Sequence, residues 1–168
     1  LIVLGFSMLV PITIQLIYNE FNSTFIISSI ITITFGALFF LANIDHNRSL
    51  STQQAFLLTA LSWIGVAIFG SIPFIFSDLN LSLTDAFFES MSGITTTGAT
   101  IINNLSDTPK AILSWRAMLQ WLGGIGIVVM AITILTLLKV GGMQLFKMEG
   151  PDSTEKILPR TIEVAAII

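Results

Sequence analysis

Long runs of uncharged, apolar residues constrain this chain more than any other feature. A helix needs about 20 predominantly apolar residues to cross the hydrocarbon core of a bilayer. Three stretches without a charged side chain come close to or meet this requirement, at 1–18, 24–42 and 55–76. A fourth, 111–138, contains one charge, Arg116, and as a helix it would be roughly 42 Å long. The sequence therefore predicts an all-α polytopic membrane protein.

The composition excludes several other classes of function. Hydrophobic residues make up 54% of the chain and charged residues 10%, and the mean hydropathy is +0.89. A net charge of −3 provides no basic surface for nucleic acid, and the absence of Cys with a single His excludes the usual zinc and thiolate sites. Hydrolase and metalloprotease motifs are also absent. We expect neither an enzyme nor a resident cofactor.

The distribution of Lys and Arg predicts the orientation in the membrane. The loop 43–52 and the segment 139–160 together hold five basic residues, including Arg48. The loops 19–23 and 77–110, with the adjoining start of the fourth span, hold two. Because basic residues accumulate in cytoplasmic loops, the N-terminus and both basic segments are expected in the cytoplasm and 77–110 outside.

The segment between the third and fourth spans is too long and too apolar for a simple surface loop. Ser82, with Asp85 three residues later, indicates a helix start, and Gly93 indicates a helix stop with a left-handed residue. The resulting helix, about 83–92, would be about 15 Å long, which reaches half-way through a bilayer. We therefore expect a re-entrant pore helix.

An uncharged Thr-Gly segment, residues 95–99, follows this helix. Irregular backbone at membrane depth is tolerated only where it is buried in protein or lines a water-filled path. Carbonyl groups that face such a path replace the hydration shell of a cation, and Gly98 provides the permissive φ needed to orient them. The C-terminal end of the helix adds a partial negative charge. The pattern predicts one part of a cation filter, and the alternative is a Thr-rich turn that binds nothing.

Charged residues near the outer side have two interpretations each. Arg116, with Trp115 and Trp121 close by, is expected to extend to the outer interface within an aromatic belt, and a charge partner, Glu89 or Asp107, is the alternative. Four carboxylates either concentrate cations or are simply solvated: Asp78, Asp85, Glu89 and Asp107.

Glycine and proline residues in the spans are interpreted as packing and bending features. Gly123, Gly124 and Gly126 are expected to let helices approach closely. Pro11 and Pro73 are expected to kink or end their helices.

Three stretches of the chain resemble the Trk/Ktr/HKT superfamily of potassium transporters, most closely its bacterial TrkH and TrkG branch: GSIPFIFSDLNLSLTDAFFESMSGITTTGATII, SWRAMLQWLGGIGIVVMAI and GGMQLFKMEGPDSTEKILPR. In that family one chain carries four membrane-pore-membrane repeats around an axis, and each repeat contributes a quarter of the filter. The resemblance implies two leading transmembrane helices and a loop at 1–52, the first repeat at 53–139, a cytoplasmic connector at 140–160 and the start of a further helix at 161–168.

The resemblance also implies a function and its residues. It implies potassium uptake across a bacterial inner membrane, with backbone carbonyls as ligands at Thr95, Thr96, Thr97, Gly98 and Ala99 and K⁺ held at Thr96, Thr97 and Gly98. Its implied partners are the lipid bilayer, the remaining repeats, a second copy of the full transporter and a cytosolic TrkA-like nucleotide-binding ring. Three filter quarters, the gate loop and the basic residue of the last repeat are missing, so the alternative is a non-conducting truncated fragment.

Overall fold

The computed structural model describes residues 1–43 and 51–137, and all regular structure in these ranges is helical. Arg48, the connector 140–160 and the segment 161–168 lie outside the described residues. Six helices follow in chain order: α1 (Ile2–Ser7), α2 (Leu9–Ile17), α3 (Thr24–Ala42), α4 (Thr52–Ile75), α5 (Leu83–Ile94) and α6 (Lys110–Leu137).

The first predicted span is two short helices rather than one. Helices α1 and α2 are separated at Met8. Pro11 explains the break, because it has no N–H to donate to the carbonyl of Ser7 and its ring crowds that carbonyl. Both helices are short and apolar, and together they cover residues 2–17.

Helix α1 packs closely on α3 through two glycines. A Cβ atom at Gly5 would lie 2.5 Å from Cγ1 of Ile33, and one at Gly36 would lie 2.9 Å from the main-chain nitrogen of Ile2. The hydroxyl of Ser29 donates a hydrogen bond of 2.8 Å to the carbonyl of Gly5 across this contact. Small residues therefore let the two backbones approach closely.

Helices α3, α4 and α6 are long and apolar enough to cross a membrane. Helix α3 has the predicted bounds, and α4 begins with a capping box in which Ser51 and Gln54 bond each other's backbone N–H. Pro73 lies inside α4, which continues past it for two residues. Many large apolar side chains of these helices are exposed, among them Phe39, Phe40, Leu57, Leu58 and Ile68. Such surfaces require lipid or further helices around them.

Helix α5 begins as predicted and ends later than predicted. Ser82 and Asp85 form the expected capping box. Gly93 is not a left-handed stop residue, because it lies within α5 against Leu119 of α6, where an added Cβ would come 3.0 Å from the Leu119 Cβ. The first left-handed residue after the helix is Thr96, with φ of 58°.

Two hydrogen bonds and an aromatic contact join the leading helices to the later ones. The carboxylate of Glu20 accepts a hydrogen bond from the main-chain nitrogen of Lys110, and the hydroxyl of Thr24 donates to the carbonyl of Phe76. The ring of Phe25 meets Trp115 edge-on at 6.2 Å. The loop 19–23, the end of α4 and the start of α6 therefore lie at one end of the bundle.

The chain divides into two compact units, residues 1–124 and 125–168. The first unit contains α1 to α5 and the first half of α6, and its fully buried side chains include Phe25, Phe74, Trp115 and Leu119. Of the second unit the structure describes residues 125–137, which continue α6 as helix.

Candidate functional site

The end of α5 lies far down the length of α6. A Cβ atom at Gly123 would fall 1.9 Å from the carbonyl oxygen of Ile94, so the two backbones are in direct contact. Gly123 follows Lys110 by thirteen positions, which corresponds to about 20 Å of helix. The prediction of close packing is confirmed for Gly123, whereas within the described part of the chain no atom of another segment lies within 4 Å of the Cβ position of Gly124.

The backbone N–H groups of the Thr-Gly segment donate hydrogen bonds to carbonyl groups in the last turn of α5. Hydrogen bonds of 2.9–3.3 Å run from the nitrogens of Thr95, Thr96, Thr97 and Gly98 to carbonyls of Met91, Ser92 and Gly93. By contrast, none of the hydrogen bonds recorded in the described part of the chain ends on the carbonyl oxygens of residues 95–98. This stretch therefore has its donors satisfied and its acceptors open, and residues 96–98 are exposed.

Two residues of the segment have left-handed backbone. Gly98 has φ of 77°, in the region that glycine adopts without steric cost, as its expected role requires. Thr96 has φ of 58°, which is a genuine outlier for a β-branched residue. Because such strain persists only where surrounding structure enforces it, the conformation of residues 96–98 is tightly specified.

Ala99 differs from the other members of the predicted filter. Its carbonyl oxygen accepts a hydrogen bond of 2.7 Å from the hydroxyl of Ser92 on α5. The resemblance implies that Ala99 is a carbonyl ligand together with residues 95–98, but its carbonyl is directed at α5. The open carbonyls are those of the four residues before it.

Glu89 is fully buried beneath the chain that leaves the Thr-Gly segment. Its Oε1 atom accepts hydrogen bonds of 2.6 Å from the hydroxyl of Thr100 and from the main-chain nitrogen of Ile101. Its Oε2 atom lies 2.8 Å from Nε of Arg116, whose side chain is only 15% exposed. The expectation that Arg116 extends to the outer interface is wrong, and the alternative partner Glu89 is the one found.

Trp115 is a core residue rather than part of an aromatic belt. It is fully buried, and its indole N–H donates a hydrogen bond of 2.9 Å to the carbonyl of Gly70 on α4. Trp121, by contrast, is 60% exposed. A buried indole N–H needs a partner, and the carbonyl of Gly70, five residues before the end of α4, provides it.

The four carboxylates do not form one group. Asp85 caps α5, Asp107 accepts a hydrogen bond from the side chain of Asn104, and Asp78 is exposed. Glu89 is bonded in the interior, whereas Asp78 and Asp107 are exposed and Asp85 is partly exposed.

Ser92 and Thr100 belong to the site although the sequence patterns above do not predict them. The signal lay in α5, where the buried residues Ala86, Glu89, Ser90 and Gly93 follow the spacing of one helix face. A carboxylate on such a face has to find partners inside the protein. Thr100, the first hydroxyl residue after the Thr-Gly segment, was the nearest candidate.

Three long apolar helices, with a short helix and an exposed loop between the last two, define a multi-pass helical membrane protein. Residues 21–168 match the TrkH family, described as cation transport proteins. The chain belongs to this family, and its curated relatives are ion transporters rather than enzymes.

Individual relatives cover nearly the whole chain. TrkH of Vibrio parahaemolyticus, a Trk system potassium uptake protein, is 42% identical over 95% of the chain, and TrkH of Escherichia coli K12 is 43% identical over 98%. TrkG of E. coli K12 is 36% identical over 95%. The crystal structure of the potassium transporter TrkH from V. parahaemolyticus superposes with a TM-score of 0.80 at 36% identity and 99% coverage of this chain. The chain spans about a third of each of these proteins, 33–35%.

Proposed function

We propose that this chain is the N-terminal third of a potassium transporter and contributes one quarter of its ion filter. The relatives that match it are named as potassium uptake proteins. In this proposal α5 is a re-entrant pore helix between the spanning helices α4 and α6. The contact of Ile94 with Gly123, about 20 Å along α6, supports a helix that enters the membrane and ends within it.

The observation that carries the proposal is the set of open carbonyls at Thr95, Thr96, Thr97 and Gly98. Their N–H groups are bonded to α5, so these four residues present acceptors without donors. A K⁺ ion that gives up its water requires such oxygens in return. The C-terminal end of α5 directs its partial negative charge to the same place. We place K⁺ at Thr96, Thr97 and Gly98, and we exclude Ala99 from the ligands because Ser92 holds its carbonyl.

A closed ring of carbonyls needs more than this chain. In this proposal one Thr-Gly segment is a quarter of a fourfold filter, and the 168 residues contain one such segment. The other quarters would come from the remaining repeats of the transporter, and the 168 residues by themselves would not conduct selectively. The transporter would act in a bacterial inner membrane as a homodimer, with a TrkA-like ring docked on the connector 140–160. Inward K⁺ movement would then gain about 2.3 kcal/mol per 100 mV.

The test is the substitution Gly98→Ser in the complete transporter. An added Cβ at Gly98 meets only Nε2 of Gln120, at 3.5 Å, so the effect of serine comes from the positive φ and not from crowding. Loss of about 1.4 kcal/mol of discrimination means a tenfold fall in the rubidium-to-sodium flux ratio. The measurement is flux of both ions into vesicles containing the purified protein.

Gly124→Ser is the matched control, because the site has open space and lies within a helix. Thr96→Val should lower the ratio less than Gly98→Ser, since the proposed ligands are backbone atoms. If Gly98→Ser left the ratio unchanged in a normally folded protein, the filter would be wrongly assigned.

A further inference from the structure

We propose that Glu89 is a selectivity-determining positioning residue, which fixes the outer end of the filter through Thr100 and Ile101. The inference rests on the proposed function of residues 95–98. It assigns a role to a side chain that touches no ion. Glu89 would act only through the backbone that follows the carbonyl ligands.

The Thr-Gly segment is held at both ends. At the inner end its N–H groups bond the last turn of α5. At the outer end Ser92 bonds the carbonyl of Ala99, and Glu89 bonds the next two residues. Because only a few residues lie between these attachments, a displacement of Thr100 is transmitted to the carbonyls before it.

The outer attachment is the stronger of the two kinds of contact. Hydrogen bonds to an ionised carboxylate are shorter and about twice as strong as bonds between neutral groups. The 2.6 Å bond from the Thr100 hydroxyl to Oε1 of Glu89 fits this class, and the main-chain nitrogen of Ile101 donates to the same oxygen. One fully buried oxygen atom thus holds two consecutive residues.

Arg116 makes a buried carboxylate possible at this place. An unpaired charge in the interior carries a large desolvation penalty, and Nε of Arg116 at 2.8 Å from Oε2 of Glu89 offsets it. The pair has no net charge, so the carboxylate can orient the backbone without acting as a cation site itself. Oε2 of Glu89 accepts the hydrogen bond from Arg116, and Oε1 accepts those from Thr100 and from the main-chain nitrogen of Ile101. The ion pair and the attachment of the backbone therefore use different oxygens.

Removing Glu89 directly is a poor test, since it would leave Arg116 buried without its partner and the protein could fail to fold. Thr100→Val removes the bond to Glu89 and the 3.1 Å bond that the hydroxyl accepts from Ile102 N, both within the outer attachment, and keeps the bond from Ile101 N, the shape of the side chain and the ion pair. Thr100→Ser keeps the hydroxyl and is the conservative rescue. Thr34→Val is the control for loss of a threonine hydroxyl, because Thr34 is bonded only to the carbonyl of Ile30 in its own helix.

The experiment measures rubidium and sodium flux for the complete transporter in vesicles, with the folded fraction checked by size-exclusion chromatography. We expect the rubidium-to-sodium ratio to fall about tenfold in Thr100→Val, equivalent to about 1.4 kcal/mol, and to stay at the wild-type value in Thr100→Ser and Thr34→Val. An unchanged ratio in Thr100→Val, or an equal fall in Thr100→Ser, overturns the role of Glu89. If the role of Glu89 is overturned in this way but Gly98→Ser still lowers the rubidium-to-sodium ratio, the filter assignment stands and only the positioning role is lost. If Gly98→Ser is also without effect, the proposed function itself has failed.

Discussion

The carboxylate of Glu20 lies 3.0 Å from the main-chain nitrogen of Lys110, although the two residues are 90 positions apart. The first N–H groups of a helix have no partner within the helix, and an acidic group there also interacts favourably with the helix dipole. Glu20 therefore caps α6 from the loop between α2 and α3. This contact joins the leading helices to α6, which packs against the end of α5 next to the Thr-Gly segment.

Glu20→Ala should weaken the start of α6. Loss of a capping side chain costs about 0.5–2 kcal/mol. We expect faster amide hydrogen exchange in the first turn of α6, by about fivefold for 1 kcal/mol, measured by mass spectrometry on the purified transporter. Asp78→Ala is the control, as its exposed carboxylate caps no helix. Equal protection in Glu20→Ala and the wild type would contradict the capping role.

Gly123→Ala should prevent correct packing of α5 on α6, whereas Gly124→Ala should be tolerated. At position 123 the added carbon would lie 1.9 Å from a backbone oxygen of Ile94, which cannot move without shifting α5. At position 124 there is open space in the described structure, and alanine favours a helix by up to about 1 kcal/mol over glycine. The comparison is the yield of monodisperse protein in detergent. Similar yields for the two variants would be incompatible with the close contact.

Thr96→Gly should stabilise the protein and impair its selectivity. Left-handed backbone at a β-branched residue costs about 1–3 kcal/mol, and glycine removes this strain. The net gain in stability is smaller than the strain, because glycine also makes the unfolded chain more flexible. We expect a higher thermal midpoint together with a lower rubidium-to-sodium ratio, since the carbonyls lose their enforced orientation. Asn80→Gly is the control, with φ of 52° outside the Thr-Gly segment. A lower midpoint in Thr96→Gly would show that the threonine is not strained.

The orientation predicted from the basic residues is testable by cysteine labelling. The chain has no Cys, so single substitutions in an otherwise cysteine-free transporter report one position each. Phe21→Cys and Asn103→Cys should both react with an impermeant thiol reagent on intact cells, and Arg48→Cys should not. Labelling of position 48 without position 103 would reverse the orientation. Opposite results at 21 and 103 would contradict the contact between Glu20 and Lys110.

Local patterns in the sequence were sufficient for the helices. Apolar runs predicted α3 with its final bounds and α4 and α6 to within a few residues, because burial in lipid depends on composition and length. The Ser82–Asp85 spacing predicted the start of α5, since a capping box is formed within four residues. The break at Met8 was the exception, although Pro11 marked it.

The end of α5 and the partners of its polar residues were decided by tertiary structure. Gly93 has the sequence signal of a helix stop, yet contact with Leu119 keeps it helical. Arg116 and Trp115 have the signal of an interfacial pair, yet Glu89 and Gly70 bond them inside the protein.

The difference between what the sequence determined and what the tertiary structure decided has one physical reason. Helix formation, capping and membrane insertion depend on residues within a few positions of one another, so the sequence by itself determined the class of protein, the three long apolar helices α3, α4 and α6 and the place of the Thr-Gly segment. Buried charges and N–H groups must instead find partners wherever the fold brings them. Only the tertiary structure decided that Glu89 joins Arg116 to Thr100, across 27 and 11 positions, and that Ser92 holds the carbonyl of Ala99 while those of Thr95 to Gly98 stay open.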